Sequence, residues 1–134
     1  MIELIIPEPT PTLNSFVHAH WTKYRAARKH WALLVMVAKS QSGTSLAEPL
    51  GRASVRIVRE GKYILDEDNL VGGCKVLIDA LKDNGLIIDD SPEHLSLTVE
   101  QIPRSKVPRT LVTIAPLPLF RTESRATKLS TRPT

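Results

Sequence analysis

Residues 66–90, DEDNLVGGCKVLIDALKDNGLIIDD, carry an apolar pattern between two acidic ends. Apolar side chains recur at steps of three and four residues, which predicts one helix with a core-facing side. The members of this stripe are Leu70, Cys74, Leu77, Ile78 and Leu81. On a continuous helix, Asp68, Lys75 and Asp79 would share the opposite, charged side.

Asn84 and Gly85 are a typical helix C-terminus. The apolar residues 86–88 that follow are expected to form a short buried strand. This strand would deliver Asp89 and Asp90 toward the acidic residues at the start of the stretch. The stretch therefore predicts that its two acidic ends meet at one site.

The rest of the chain predicts a small α+β domain. Period-two or short apolar runs predict strands at 2–6, 52–59, 95–100 and 111–115, and helical periodicity covers 21–39. The order is β-α-β-α-β-β, with two helices packed on one small mixed sheet. We expect one domain over residues 1–116 and a mobile basic tail over 117–134.

Composition limits the class of protein. A chain of 134 residues suits one domain, and the single cysteine, Cys74, precludes a disulfide within the chain. The sequence shows neither a signal peptide nor a long apolar run. We therefore expect a cytoplasmic protein that does not enter a membrane.

Charge is divided along the chain into three segments. The net charge is +3 over residues 1–47, −5 over 48–100 and +6 over 101–134. Basic flanks around an acidic centre suit a polyanionic partner, provided that a metal ion neutralises the centre. The alternative is an uneven solvated surface without such a role.

The predicted first helix has a basic side. Lys23, Arg25, Arg28 and Lys29 lie in a segment without any acidic residue between positions 9 and 47. This pattern predicts an uncompensated cluster that contacts phosphates. The alternative is a surface helix that only favours solubility.

The acidic ends admit two interpretations. A calcium loop is excluded, because Leu70, Val71 and Leu77 stand where its Asp or Asn, its Gly and its Glu are required. In the first interpretation the residues are structural: Asp66 or Asp68 caps the helix N-terminus and Asp89 forms a turn. In the second interpretation the carboxylates bind Mg²⁺ or Mn²⁺. In the second case Lys75 would contact the scissile phosphate.

Three strings carry a family resemblance: Asp66-x-Asp68-Asn69-Leu70, Lys75-x-x-x-Asp79-Ala80-Leu81 and Gly85-Leu86-Ile87-x-Asp89-Asp90. They resemble the RusA family of Holliday junction resolvases, which is common in prophages. Pro11-Thr12-Leu13-Asn14 and the basic segment 21–31 are similar to that family's N-terminal part. The resemblance covers about residues 1–115.

The resemblance implies a homodimeric, Mg²⁺-dependent endonuclease that resolves four-way DNA junctions by paired incisions in recombination and repair. Asp66, Asp68 and Asp90 match its essential carboxylates, and Lys75 matches its essential lysine. Mn²⁺ is expected to substitute for Mg²⁺.

Other positions are assigned less directly. Asp89 is either a further metal ligand or a cap of its turn. Gly72, Gly73 and Cys74 look like part of a three-residue insertion relative to the founding member, so the spacing from Asp68 to Lys75 differs. The expected DNA-binding residues are Asn14, Lys23, Arg25, Arg28 and Lys29. The alternative function is a non-catalytic DNA-binding module that uses the basic flanks.

Overall fold

The fold is α+β, and its element order is the expected one except that two helices, not one, lie between the second and third strands. A computed structural model describes residues 1–118. The elements are β1 (Ile2–Ile6), α1 (Trp21–Gln41), β2 (Ala53–Glu60), α2 (Glu67–Gly73), α3 (Lys75–Asp83), β3 (Leu95–Ile102) and β4 (Arg109–Pro116), with a 3₁₀ helix at Leu13–Ser15. The predicted fold class is thus confirmed.

The four strands form one mixed sheet in the order β1-β4-β2-β3. β4 runs antiparallel to both β1 and β2, whereas β2 and β3 are parallel, with Ala53 opposite Leu95. A parallel pair needs a long crossover connection, and the segment with α2 and α3 provides it. β3 is therefore an edge strand next to the stretch that carries the acidic residues.

The core lies between one face of the sheet and the two longer helices. Val55 and Ile57 of β2 are fully buried, as the alternation of a strand with one covered face requires. α1 contributes Trp31 and Val35, one helical turn apart, and α3 contributes Leu77 among others. Burial of these apolar side chains fixes α3 against α1 and the sheet.

The stretch predicted as one helix is two helices that are interrupted at Cys74. α2 ends at Gly73 and α3 begins at Lys75. Gly73 packs against the backbone of Pro11, where a side chain would collide with the carbonyl group. Two consecutive glycines also weaken a helix. The expectation that Asp68 and Lys75 share one helix face was therefore wrong, because it assumed an unbroken helix.

The segment after α3 differs in part from the prediction. Gly85 has a φ of +71°, the left-handed conformation that ends a helix. Leu86 and Ile87 are buried, but the only pairing of 86–88 within residues 1–118 is an isolated bridge from Ile87 to Leu50. The segment is thus a loop anchored by its buried residues and not the predicted strand, and it holds Asp89 and Asp90 near the surface.

Most of the predicted basic tail, residues 119–134, lies outside the described part of the chain. The described beginning of the tail is attached to the fold, since the Leu117 amide donates to the Arg52 carbonyl at 2.9 Å.

Within residues 1–118, no helix is both long enough and apolar enough to span a bilayer.

Candidate functional site

Asp66 is the N-cap of α2. Its Oδ1 accepts a hydrogen bond from the Asn69 amide at 2.8 Å, and the Asn69 side-chain amide lies 3.2 Å from both carboxylate oxygens. The capping interpretation of the sequence is therefore correct for this residue. A capping role leaves the exposed carboxylate accessible to other ligands, because each oxygen has more than one lone pair.

Asn14 lies beside the same helix end. Its backbone amide donates to Oδ1 of Asn69 at 2.9 Å, although the two residues are 55 positions apart. Asn69 thereby joins the 3₁₀ helix to the N-cap residue Asp66. The predicted DNA-binding residue Asn14 and the predicted catalytic residue Asp66 are consequently in one local network.

Asp68 is exposed in the first turn of α2. Its side chain makes no hydrogen bond or ion pair with any residue of the described segment 1–118. Asp68 lies one helical turn, about 6 Å of rise, before Gly72 and on the same side of α2. Its carboxylate is thus unused by the fold.

Lys75 and Asp90 are brought together. Lys75 is the first residue of α3, and its Nζ donates to Oδ2 of Asp90 at 3.0 Å and to Oδ1 of Asp79 at 3.0 Å. The hydrogen bond from Lys75 holds the pKa of the Asp90 carboxyl below its ordinary value, and the same bond raises the pKa of the Lys75 ammonium. Both groups therefore remain charged at neutral pH.

Asp79 is the residue that sequence reasoning misplaced. It was expected on a charged, outward side of the helix, yet it is only 3% exposed. Its Oδ2 accepts a hydrogen bond from the Tyr24 hydroxyl of α1 at 2.6 Å. Burial and this bond raise the pKa of Tyr24, so its hydroxyl stays protonated and remains a donor.

Asp89 lies beside a different lysine. Its Oδ1 is 3.6 Å from Nζ of Lys82, which also lies 3.8 Å from Oδ1 of Asp79. These separations are those of ion pairs without a direct hydrogen bond. Asp89 is thus a charged neighbour of Asp90, with its carboxylate still partly exposed.

An open cavity of about 350 Å³ borders the Lys75–Asp90 contact. It lies between the helices and the edge strand β3, and its lining residues are Val71, Gly72, Lys75, Ile78, Asp90, Pro92, Leu95 and Leu97. Val71 and Gly72 of α2 line the cavity, whereas Asp68, one turn before Gly72, is not among the lining residues. The cavity combines an apolar floor with one ammonium and one carboxylate.

No group of three Asp, Glu, His or Cys side chains within residues 1–118 is arranged to hold a metal ion. Mg²⁺ does not need such a cage, because it commonly binds one or two carboxylates together with substrate phosphates and water. Exposed carboxylate oxygens of Asp68 and the partly exposed ones of Asp89 and Asp90 are hard ligands of the required kind. The donor chemistry of these residues therefore fits a cation that is bound jointly with a phosphate. Within residues 1–118 the two acidic ends of the stretch 66–90 form no three-ligand group, so their meeting at one site stays a prediction.

The basic cluster on α1 is partly neutralised, contrary to the expectation from the sequence. Arg28 donates twice to Asp83 of α3, at 2.9 and 2.7 Å. This pairing joins residues 55 positions apart, so the absence of nearby acids in sequence gave the wrong result. Lys23 and Lys29 are exposed on the same helix, as is Arg25, which stacks on Trp21 at 4.9 Å.

Comparison of the chain with protein-family models and with curated proteins gives no match.

Proposed function

We propose that the protein is a Mg²⁺-dependent, structure-selective endodeoxyribonuclease that resolves four-way DNA junctions by paired incisions in recombination and repair. The observation that carries this proposal is the contact between Lys75 and Asp90 at the edge of an open cavity. These two residues match the lysine and one carboxylate of the RusA resemblance. The three-residue insertion before Lys75 is compatible with their contact.

The carboxylates would hold the metal. Asp90 borders the cavity, and Asp66 and Asp68 lie at the start of α2, whose later residues Val71 and Gly72 line it. When bound, Mg²⁺ would supply Lewis-acid stabilisation of the phosphoryl oxygens and a water of lowered pKa for attack on phosphorus. The metal ion would also offset the negative charge of Asp66, Asp68, Asp89 and Asp90, so that a negatively charged scissile phosphate could approach them.

Lys75 would contribute positive charge at the reacting phosphate. Its ammonium is about half exposed and is oriented by two carboxylates. Charge that develops on phosphoryl oxygens is stabilised by a preorganised cation in this position. Because a lysine ammonium has three donors, two can contact Asp79 and Asp90 while one remains for phosphate.

The basic side of α1 would bind the DNA backbone. Lys23, Arg25 and Lys29 are exposed and lie on the helix that packs against α3. Arg28 is committed to Asp83, so we assign it to holding α1 and α3 together. Contacts to phosphate give affinity without sequence preference, which suits recognition of a branched structure.

A second candidate is a DNA-binding module without catalytic activity. It is favoured by the ion pairing of the acidic residues: Asp79, Asp83, Asp89 and Asp90 each face a cation of the fold. In that case the aspartates stabilise the structure and only the basic residues of α1 act on DNA.

Cleavage of a labelled four-way junction, with and without Mg²⁺, separates the two candidates. We expect two symmetric nicks that require Mg²⁺, and no cleavage of a linear duplex of the same sequence. Lys75→Ala should lower the single-turnover rate by about 100- to 1,000-fold and leave it measurable. Lys62→Ala, which changes an exposed lysine outside the cavity, should cleave at the wild-type rate. Binding of the junction without any cleavage by the wild-type protein at saturating Mg²⁺ would favour the module.

A further inference from the structure

Asp79 is a buried charge whose oxygens contact four groups. Burial of a carboxylate costs free energy unless it is paired and hydrogen-bonded. Its Oδ1 faces Lys75 at 3.0 Å and Lys82 at 3.8 Å, and its Oδ2 faces the Tyr24 hydroxyl at 2.6 Å and Arg28 at 3.9 Å. Asp79 is therefore satisfied entirely by side chains of α1 and α3.

Each of the three cations also reaches a second aspartate. Lys75 joins Asp79 to Asp90, Lys82 joins it to Asp89, and Arg28 joins it to Asp83. Asp79 is thus the common anchor from which the three cations reach acidic residues nearer the surface. Of these three cations, only Lys75 lies within hydrogen-bonding distance of both of its aspartates, at 3.0 Å from each.

The anchor matters most for Lys75, because a lysine side chain is long and flexible. Its side chain is 51% exposed, whereas that of Asp79 is 5% exposed. An exposed lysine that is paired to one exposed carboxylate gains little order from the pair. A second bond, to a carboxylate fixed inside the fold, removes much of that freedom.

Tyr24 determines which oxygen of Asp79 is available to Lys75. The Tyr24 hydroxyl occupies Oδ2, and the carboxylate then presents Oδ1 to the ammonium. Tyr24 is itself held by an edge-to-face contact with Phe16, with ring centroids 5.2 Å apart. The orientation of Lys75 therefore depends on an aromatic residue of another helix.

We propose that Asp79, oriented by the Tyr24 hydroxyl, is a positioning residue that directs the Lys75 ammonium to Asp90 and to the phosphate that is to be cleaved. The proposal rests on the nuclease function proposed above. Asp79 is not a catalytic residue, because its burial keeps it away from the substrate and its effect passes through Lys75.

Two variants test the positioning role, and a third is a matched control. Asp79→Asn removes the anchoring charge, and Tyr24→Phe removes only the hydroxyl and keeps the ring packing. Asp83→Asn is the control, since it breaks an ion pair of α3 that does not involve Lys75. At saturating junction and Mg²⁺, we expect Asp79→Asn to lower the single-turnover rate by about 10- to 100-fold, as a misplaced catalytic group does.

We expect Tyr24→Phe to lower the rate in the same direction by a smaller factor, and Asp83→Asn to leave it near that of the wild type. Added to Lys75→Ala, the Asp79→Asn change should cause no further loss, because it acts through the absent ammonium. A further loss of the same size in that double variant would overturn the proposal, as would wild-type rates in both single variants. If Asp79→Asn does not fold, Tyr24→Phe and its combination with Lys75→Ala decide the question.

A readout independent of cleavage keeps this proposal separate from the proposed function. Crystal structures of the wild type and of Tyr24→Phe and Asp79→Asn should show the Lys75 ammonium leaving Asp90 in the variants. An unmoved ammonium overturns the positioning role even when the wild type cuts junctions. A wild type that does not cut junctions refutes the nuclease function, and the placement of Lys75 is then still decided by these structures.

Discussion

Nζ of Lys75 lies 3.0 Å from Oδ2 of Asp90, although 15 positions separate the two residues in the chain. Lys75 begins α3, and Asp90 follows the anchored segment after the end of that helix. The chain therefore runs along α3, turns at Gly85 and returns, so that both ends of this path meet beside one cavity. The proposed chemistry depends on this return.

Acidic pH should weaken the contact between Arg28 and Asp83. Hydrogen bonds from Arg28 hold the pKa of Asp83 below its ordinary value of 3.8. A carboxyl with a lowered folded-state pKa contributes stability above its unfolded pKa and loses that contribution as pH falls through the folded pKa. In urea titrations between about pH 5 and pH 2, the free energy of unfolding should fall less steeply for Asp83→Asn than for the wild type. Parallel curves for the two proteins would contradict this.

Gly73 should tolerate no side chain. Gly73→Ala places a methyl group against the Pro11 carbonyl, which cannot move without shifting backbone. We expect a loss of about 1–3 kcal/mol in the free energy of unfolding, as for other overpacked sites. Gly72→Ala is the matched control, because its new methyl group meets only the Leu13 side chain, at 3.0 Å. Equal losses in the two variants, measured by urea denaturation, would show that the approach of Pro11 is not the constraint.

The exposed basic residues of α1 should set the salt dependence of DNA binding. Replacing Lys23, Arg25 and Lys29 by Ala should weaken junction binding and flatten the plot of log K against log salt concentration. Each lost phosphate contact should reduce its slope by about 0.9. Arg28→Ala should leave the slope unchanged, since this guanidinium is bound to Asp83. Equal slopes for the wild type and the triple variant would mean that this side of α1 does not touch DNA.

The protein should act as a homodimer. Paired incisions need two sites, and the described part of the chain has one Lys75–Asp90 site. A two-fold dimer is the simplest way to present two copies of it. Light scattering should give twice the mass of the chain, both free and with a four-way junction. A monomer under both conditions would contradict the dimer.

Local periodicity predicted the order of strands and helices because each element's pattern lies within a short window. Apolar and polar residues alternate over 95–100, which places the apolar ones on one face of a strand. Over 21–39 the apolar residues recur every three or four positions, which places them on one side of a helix. Local periodicity could not predict the helix break at Cys74, because Gly73 there packs against Pro11, from a distant part of the chain.

The candidate site was predicted in part. The family resemblance assigned Lys75 and Asp90 to the same site, and the two side chains are 3.0 Å apart, while their roles there stay a prediction. Asp79 was misplaced because a charged residue opposite an apolar stripe ordinarily faces water. Its buried carboxylate is instead hydrogen-bonded to Tyr24, which is 55 positions away. Asp79 lies four positions after Lys75 and three before Lys82, and this helical spacing was the one sequence signal that it pairs with lysines.

The central claim is that Asp68 and Asp90 act in metal-dependent cleavage, and their Asn variants test it most directly. Asp83→Asn is the control for a structural aspartate. The measurement is the single-turnover cleavage rate of a four-way junction at saturating Mg²⁺, with junction affinity measured in parallel without metal.

We predict that Asp68→Asn and Asp90→Asn each abolish cleavage while junction affinity stays equal or rises. Each substitution weakens a hard-cation ligand and removes one negative charge that faces phosphate. Asp83→Asn should cleave at the wild-type rate. Wild-type cleavage by Asp68→Asn or by Asp90→Asn would contradict the catalytic assignment of that aspartate.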